Sequence, residues 1–318
     1  MNKFTTVKDV ANLKELVNEA LHLKQNPYQY KTLGKNKTLG LLFLNPSLRT
    51  RMSTQKAAAS LGMHVMVMNL DKEGWALEMQ DGAVMNGSTV EHIKEAAAVM
   101  GQYCDIIGIR SFPKLQNREE DYSEDLLQKF ISYCKVPVVS LESATRHPLQ
   151  SLADLLTITE NAPTGKRPKV VLTWAPHVKA IPQCVANSFA EWMGQADVDL
   201  VITHPEGYEL ADEFTQHAQV TTNQQEALAG ADFVYVKNWS SYTDYGKVLT
   251  DGAGWMLTNE HLAATNNAKV MHCLPVRRNV ELSDEILDGP NALVLAQANN
   301  RTYAAQAVLK RMLEGLEK

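Results

Sequence analysis

Short runs of consecutive apolar residues alternate along this chain with longer stretches in which apolar residues recur every three or four positions. The first pattern reads as strands buried on both faces, the second as helices packed on one side. Thr38 to Leu44 is the first such run; His64 to Leu70, rich in Val and Met, Asp105 to Arg110 and Val136 to Leu141 read as further strands. Between them the spacing predicts helices over Val7 to Leu23 (led in by Thr5 and Thr6), Met52 to Leu61 (stopped by Gly62), Thr89 to Gln102 and Ser123 to Tyr133. A second round has strands at Val170 to Trp174, Val198 to Thr203, Phe233 to Val236, Lys269 to His272 and Ala292 to Leu295. Its helices are Ile181 to Met193, Gln224 to Leu228 and Gln297 to Glu314, with Gly315 as the stop. Alternation at this spacing means βαβ units and parallel sheets, so the fold class is α/β with two doubly wound parallel-sheet domains. The hinge is expected in a helix beginning near His147, with the last helix returning to the first domain. The expected domains are therefore 1–147 plus 297–318, and 148–296.

In parallel sheets ligands sit beyond the carboxyl ends of the strands. Arg51, Arg110 and His147 all fall just past such ends. The turn Leu44-Asn45-Pro46-Ser47-Leu48-Arg49-Thr50-Arg51 runs from a buried strand into a helix. A helix N-terminus leaves about four N–H groups without intrahelical partners and favours an anion. Arg49 and Arg51 are unfavourable there unless a phosphate or carboxylate joins them; the plain alternative is a Ser47 N-cap with two solvated arginines. Two connections are unusually long for a compact domain, Asp71 to Ser88 and Asn238 to Thr258. Trp75 on the first is either an anchor or a side chain offered to a partner.

Composition narrows the field. The chain has 318 residues, 45% of them hydrophobic, with a net charge of −5 and no basic run, which argues against a nucleic-acid surface. No apolar run approaches the roughly 18 to 20 residues that span a bilayer, and the N-terminus does not read as a signal peptide. Cys104, Cys134, Cys184 and Cys273 lack metal-ligand spacing and read as buried reduced thiols of a cytoplasmic protein. No HExxH, GxSxG, Walker loop or GxGxxG is present, so neither metal nor cofactor is expected. The candidates Ser47, Arg49, Thr50, Arg110, His147, Gln150, Lys237, His272, Arg277, Arg278 and Arg301 are rich in donors and poor in bases. Such a set suits a reaction that holds anionic partners together and stabilises developing charge.

Four segments carry a resemblance over essentially the whole chain. Ser47-Leu48-Arg49-Thr50-Arg51 resembles the Ser-x-Arg-Thr-Arg motif of the aspartate/ornithine carbamoyltransferases. His147-Pro148-Leu149-Gln150 is similar to their His-Pro-x-Gln, and His272-Cys273-Leu274-Pro275 to their His-Cys-Leu-Pro. Gln297-Ala298-Asn299-Asn300-Arg301 resembles their Gln-Ala-Glu-Asn-Arg, with Asn299 in place of the glutamate. The resemblance implies a homotrimer with shared active sites. It also implies carbamoyl phosphate held by Ser47, Leu48, Arg49, Thr50, Arg110 and Arg301, with His147, Gln150 and the Cys273 and Leu274 carbonyls on the carbamoyl group. Trp75 would reach the neighbouring subunit's site. An unprotonated amine attacks the carbonyl carbon, Thr50, Arg110 and His147 stabilise the oxyanion, and phosphate leaves.

The amine is the finer question. Ornithine carbamoyltransferases carry Asp-x-x-x-Ser-Met-Gly after the corresponding late strand; here the segment reads Lys237-Asn238-Trp239-Ser240-Ser241-Tyr242. A lysine there fits a substrate whose α-amine is acylated, which resembles the branch acting on N-acylated ornithines in arginine synthesis. In that branch Glu142, His177, Lys237 and Arg277 or Arg278 would contact the acyl-ornithine, with Glu142 orienting the δ-amine. Some members have a knotted second domain, which the 238–258 connection would form here. Acetyl-specific members have a carboxylated lysine where Glu281 offers a carboxylate unmodified. Val90 stands where proline is expected in succinyl-specific and glutamate in acetyl-specific members. A glutamate at about 4 Å would repel a second substrate carboxylate by about 1 to 4 kcal/mol. Val90 does not, so the expectation is N-succinylornithine first and N-acetylornithine second. Carbamoylation of another amine, such as putrescine or oxamate, and a non-catalytic paralogue that binds carbamoyl phosphate are the remaining readings.

Overall fold

The computed structural model describes residues 1–70 and 72–316; Asp71, which opens the first long connection, and the last two residues lie outside them. The chain forms two compact units. The first comprises Met1–Pro113, Glu119–Leu149 and Arg301–Lys318. The second comprises Lys114–Arg118 and Gln150–Asn300.

In the first unit the elements run β1 (Lys3–Phe4), α1 (Leu13–Gln25), β2 (Thr38–Phe43), α2 (Arg49–Ser60), β3 (His64–Asn69), β4 (Leu77–Glu78) and β5 (Glu91–His92). Then come α3 (Ile93–Tyr103), β6 (Ile106–Arg110), α4 (Arg118–Tyr122, its first residue in the second unit), α5 (Asp125–Tyr133) and β7 (Val138–Glu142). Five strands form a parallel sheet in the order β1-β7-β6-β2-β3. The apolar runs of β2, β6 and β7 are central and covered, whereas β3 lies at the sheet edge with no buried residue. Every residue of β6 and β7 is buried, and Ile107, Ile109 and Val138 pack against Ile93, Ala97, Leu127 and Phe130 of α3 and α5.

Helix α6 (Pro148–Asn161) starts in the first unit and continues into the second. The second unit holds β8 (Lys169–Trp174), α7 (Cys184–Met193), β9 (Asp199–Thr203), α8 (Asp212–Thr215), β10 (Gln219–Thr221), α9 (Gln224–Leu228), β11 (Phe233–Lys237), α10 (Asn259–Leu262), β12 (Lys269–Met271) and α11 (Asp284–Leu287). Its parallel sheet has the order β10-β9-β8-β11-β12. Helix α12 (Val294–Leu316) begins here and ends in the first unit. The 238–258 connection is anchored by aromatics: Trp239 is fully buried, its Nε1–H donates to the Tyr208 carbonyl at 2.8 Å, and the Tyr208 hydroxyl takes the Leu249 N–H at 2.7 Å.

Both sheets reverse direction of growth at one place. In the first, β2 is followed by β3 on one side and by β6 on the other; in the second, β8 is followed by β9 and then by β11. The crevices beyond β2/β6 and β8/β11 are thus the topological switch points where ligands bind in such sheets. Phe43 pairs with Arg110 in one and Trp174 with Lys237 in the other, so Arg110 and Lys237 end their strands at these points.

Four expectations need correction. The helix expected over Val7 to Leu23 is two pieces: Thr6 and Asp9 form a capping box around a turn at Val7–Asp9, and Asn12 caps α1 by accepting the Glu15 N–H at 3.1 Å. The helix expected from Thr89 starts at Ile93, because Glu91 and His92 pair with Leu77 and Glu78. Ala292 makes one bridge with Val270 and no strand, since Val294 already opens α12. Cys134 and Cys184 are buried, but Cys104 and Cys273 are partly exposed. Among the described residues no helix is long and apolar enough to cross a membrane.

The approach of α3 to α5 depends on Gly101, where an added Cβ would lie 1.8 Å from the Cys134 carbonyl oxygen, a backbone atom that cannot swing away. Gly101→Ala is expected to destabilise the first unit by about 2 kcal/mol or more, read as a lower urea midpoint; an unchanged midpoint would contradict this packing.

Candidate active site

Helix α2 opens at Arg49, three residues before the expected start, and Leu48 occupies its N-cap position without a side-chain cap bond. Ser47 therefore does not cap it. No acidic residue stands in the first turn. The turn presents uncompensated N–H groups beside Arg49 and Arg51, the arrangement that favours an anion. An open cleft of about 420 Å³ lies against it, lined by Pro46, Ser47, Leu48, Arg51, Asn69 and Lys72. Arg51 is tied to the Asn69 side chain at 2.9 Å and its guanidinium lies over Phe43, 5.2 Å from the ring centre. Lys72 was not anticipated; a lysine directly past the β3 end was the available signal.

Two arginines from other elements converge on this turn. Arg110, at the end of β6, donates from Nη1 to the carbonyls of Asn45 at 3.2 Å and Pro46 at 3.0 Å. Its Nε and Nη2 both reach Glu142 Oε2, at 2.9 and 2.7 Å. Arg301, from α12, donates to Thr50 Oγ1 and lies 3.4 Å from His147 Nε2. Thr50, Arg110, Glu142, His147 and Arg301 are all buried, so their charges act in a weakly screening medium. Burial lowers the His147 pKa to about 3; the nearby Glu142 carboxylate, 3.8 Å from Nε2, opposes this, and the Arg301 and Arg110 charges add to it. The imidazole is thus neutral, and with Nε2 accepting from Arg301 its proton sits on Nδ1. The loop carrying His147 is held from below by Glu124, which accepts from the Ser143 hydroxyl at 2.6 Å and the Thr145 N–H at 2.8 Å.

Trp75 and Val90 are brought onto one exposed feature of the same unit. Trp75 is 59% and Val90 65% exposed. The Val90 N–H donates to the Ala76 carbonyl at 3.0 Å, and Trp75 Nε1–H to Glu91 Oε2 at 2.8 Å.

The second unit gathers another set. Gln150 donates to Asp154 at 2.7 Å on α6. Lys237, buried at the end of β11, donates to the Asn238 carbonyl at 3.0 Å. His272, just past β12, accepts the Leu274 N–H on Nδ1 at 2.9 Å, leaving Nε2–H to donate to Glu281 at 3.3 Å. Leu274 has a φ of +56°, a region non-glycine residues adopt rarely. Burial favours a protonated Glu281, but the His272 hydrogen bond, the Lys237 ammonium and the Arg277 N–H at 2.8 Å prevail and hold its carboxyl at about 2. Arg277 Nε donates to His177 Nε2 at 3.1 Å, and burial lowers the His177 pKa, with Lys237 and Arg277 adding to the effect. Arg278 turns instead to Asp284 at 2.8 Å and Asp288 at 2.7 Å on the surface. Glu142, expected with the acyl-ornithine set, lies in the first unit on Arg110. Among the described residues no group of three or more His, Cys, Asp or Glu side chains is placed to hold a metal.

Residues 2–160 match the model of the aspartate/ornithine carbamoyltransferase carbamoyl-P binding domain, and residues 182–312 that of the Asp/Orn binding domain. The chain belongs to this family. It is 52% identical over 319 residues to the N-succinylornithine carbamoyltransferase of Bacteroides thetaiotaomicron, covering 100% of both chains. It is 36% identical over 325 residues to the N-acetylornithine carbamoyltransferase of Xanthomonas campestris pv. campestris, covering 95% of this chain and 94% of that one. Among solved structures it is similar to a glutamate-to-valine mutant of N-acetyl-L-ornithine transcarbamylase complexed with carbamyl phosphate and N-succinyl-L-norvaline. The TM-score is 0.91 and the identity 33%, over 98% of this chain and 100% of that one.

A neutral buried His147 has a consequence for stability in this carbamoyltransferase. Its folded pKa of about 3 lies below the ordinary 6.5, so below pH 6.5 the unfolded chain binds a proton that the folded one does not. Stability should fall as pH drops from 6.5 towards 3, by about 1.4 kcal/mol per pH unit from this group. His147→Gln should flatten that part of the urea-midpoint profile; an equally steep profile would contradict the assignment.

Proposed function

We propose that the protein transfers the carbamoyl group of carbamoyl phosphate to the δ-amine of N-succinyl-L-ornithine, giving N-succinyl-L-citrulline and phosphate. The observation that carries the choice of amine is the full-length likeness to N-succinylornithine carbamoyltransferases, well above that to the acetyl-specific relatives.

Most of the residues assigned to carbamoyl phosphate belong to the first unit. The phosphate is taken by the first-turn N–H groups of α2 with Ser47, Arg49 and Arg110. Thr50, Arg301 and His147 address the carbonyl oxygen, while Gln150 and the Cys273 and Leu274 carbonyls take the amide hydrogens. A neutral His147 suits this role: once Arg301 turns from Nε2 to the ligand, the tautomer with its proton on Nε2 donates to the oxygen without carrying a competing charge. The unprotonated δ-amine attacks the carbonyl carbon and negative charge grows on the oxygen. Fixed donors stabilise that charge more than they stabilise the ground state. The C–O bond to phosphate then breaks, the proton shed by the attacking nitrogen passes to the departing phosphate, and the phosphate leaves into its own arginine-lined turn. Arg110 is released from Glu142 as the phosphate arrives, which frees the Glu142 carboxylate to orient the amine.

The second unit supplies the acyl-ornithine site through Lys237, His177 and Arg277. Lys237 meets the α-carboxylate; Glu281 keeps the Arg277 backbone in place. Arg278, engaged with two aspartates, contributes less. Val90 is read as the counterpart of the glutamate that was replaced by valine in the solved mutant holding N-succinyl-L-norvaline. It leaves a second carboxylate unopposed. The same reading makes this a homotrimeric cytoplasmic enzyme of arginine synthesis in which exposed Trp75 reaches the neighbouring subunit's site. Sedimentation at three times the 35.3 kDa chain mass is expected, and a monomer would remove that role for Trp75.

Ornithine, N-acetylornithine and N-succinylornithine should be compared as acceptors, with N-succinylornithine giving the highest kcat/KM. Val90→Glu is expected to shift the preference towards the acetyl compound by about fivefold or more. A wild type that favours N-acetylornithine would overturn the choice of substrate, and activity on free ornithine would overturn the role of Lys237. Arg49→Ala should lower kcat/KM for carbamoyl phosphate about 100-fold or more; near-normal turnover would remove Arg49 from the site.

A further inference from the structure

One buried carboxylate lies outside the machinery described above and yet touches two of its supports. Asp154 is fully buried on α6, and its Oδ1 accepts from Gln150 Nε2 at 2.7 Å and from Gln297 Nε2 at 2.7 Å. A carboxylate oxygen facing two carboxamides accepts only their NH2 ends, so both glutamines are forced to turn their oxygens away from it. For Gln297 that oxygen has a use: it accepts the His272 N–H at 2.9 Å, at the start of the His272–Pro275 turn. For Gln150 the oxygen is buried without a hydrogen-bond partner among the described residues. A buried amide oxygen left in this state costs free energy unless a donor arrives. An N–H donor fits it, and in the reading given above the carbamoyl NH2 brings one to Gln150.

We propose that Asp154 is a positioning residue that fixes the polarity of the Gln150 amide, so that the site selects an acyl phosphate bearing an NH2 over one bearing a methyl group. This rests on the carbamoyl phosphate reading given above. Asp154 touches no substrate; it acts through Gln150 and, by way of Gln297, through the His272–Pro275 turn. Without the carboxylate, Gln150 is free to present its own NH2, which meets the carbamoyl NH2 donor against donor.

Acetyl phosphate is the probe, since it keeps the phosphate and carbonyl and replaces NH2 by CH3. Dissociation constants of carbamoyl phosphate and acetyl phosphate are measured on the wild type, Asp154→Leu, Asp154→Ala and Asp154→Asn. In the wild type carbamoyl phosphate binds the more tightly. Asp154→Leu should lower that preference about tenfold, through carbamoyl phosphate alone, and leave acetyl phosphate within about twofold. Asp154→Asn keeps an oxygen that can accept both amides and should retain most of the preference. Asp154→Ala makes the same test with less bulk if Asp154→Leu does not fold. Adding Gln150→Met to Asp154→Leu should cost little more than either alone. An unchanged preference in the folded Leu or Ala variant, or equal weakening of both ligands, would overturn the role of Asp154. A wild type that does not prefer carbamoyl phosphate would overturn the underlying reading instead.

Discussion

The first turn of α2 is the constraint on which the rest depends. A helix that opens without a cap, without an acid and with two arginines in its first turn forfeits about 0.3 to 1 kcal/mol for each charge misplaced against its dipole. It gains instead a place where an anion meets N–H groups and guanidinium groups together. Everything around it serves that place. The β2/β6 register sets Arg110 beside the turn, and the carbonyls of Asn45 and Pro46 hold it there. Helix α12 brings Arg301 to Thr50 and His147. Burying these cations beside one another raises the cost of the empty site and the gain on filling it, because screening is weak in both states. Glu142 moderates this by pairing with Arg110.

The second unit handles charge in the opposite way. There the cation Lys237 is buried at a strand end and a buried carboxylate, Glu281, stabilises it while anchoring His272 and the Arg277 backbone. A permanent carboxylate at this position needs no modification and stays ionised down to about pH 2. The nearby carboxylate offsets the buried ammonium at the strand end.

Sequence patterning was informative where one cause dominated. The central strands were legible because burial on both faces leaves little but Val, Ile and Leu, as in Val170 to Trp174, and the position of Arg110 because it ends such a strand. Short edge strands such as Lys3–Phe4 and Gln219–Thr221 were not legible, since two or three residues carry no period and owe their state to the neighbouring strand. Boundaries failed where a local cap competed with the apolar pattern, as at Asn12 and His92. Arg278 shows the limit for site residues: the motif placed it beside Arg277, but Asp284 and Asp288, six and ten positions on, decide where it points. Asp154 was hidden for a different reason. It lies four residues after Gln150 on one helix face, yet its second partner, Gln297, is 143 residues away.

The central claim is that the α2 turn, with Arg110 and Arg301, is an anion site completed by carbamoyl phosphate. Urea unfolding at increasing carbamoyl phosphate concentration tests it without any assumption about the acceptor. A ligand that binds only the folded chain adds about 2.7 kcal/mol at 100 times its dissociation constant. The account predicts that gain for the wild type and its loss in Arg301→Met. No stabilisation of the wild type, or the same stabilisation in Arg301→Met, would contradict it.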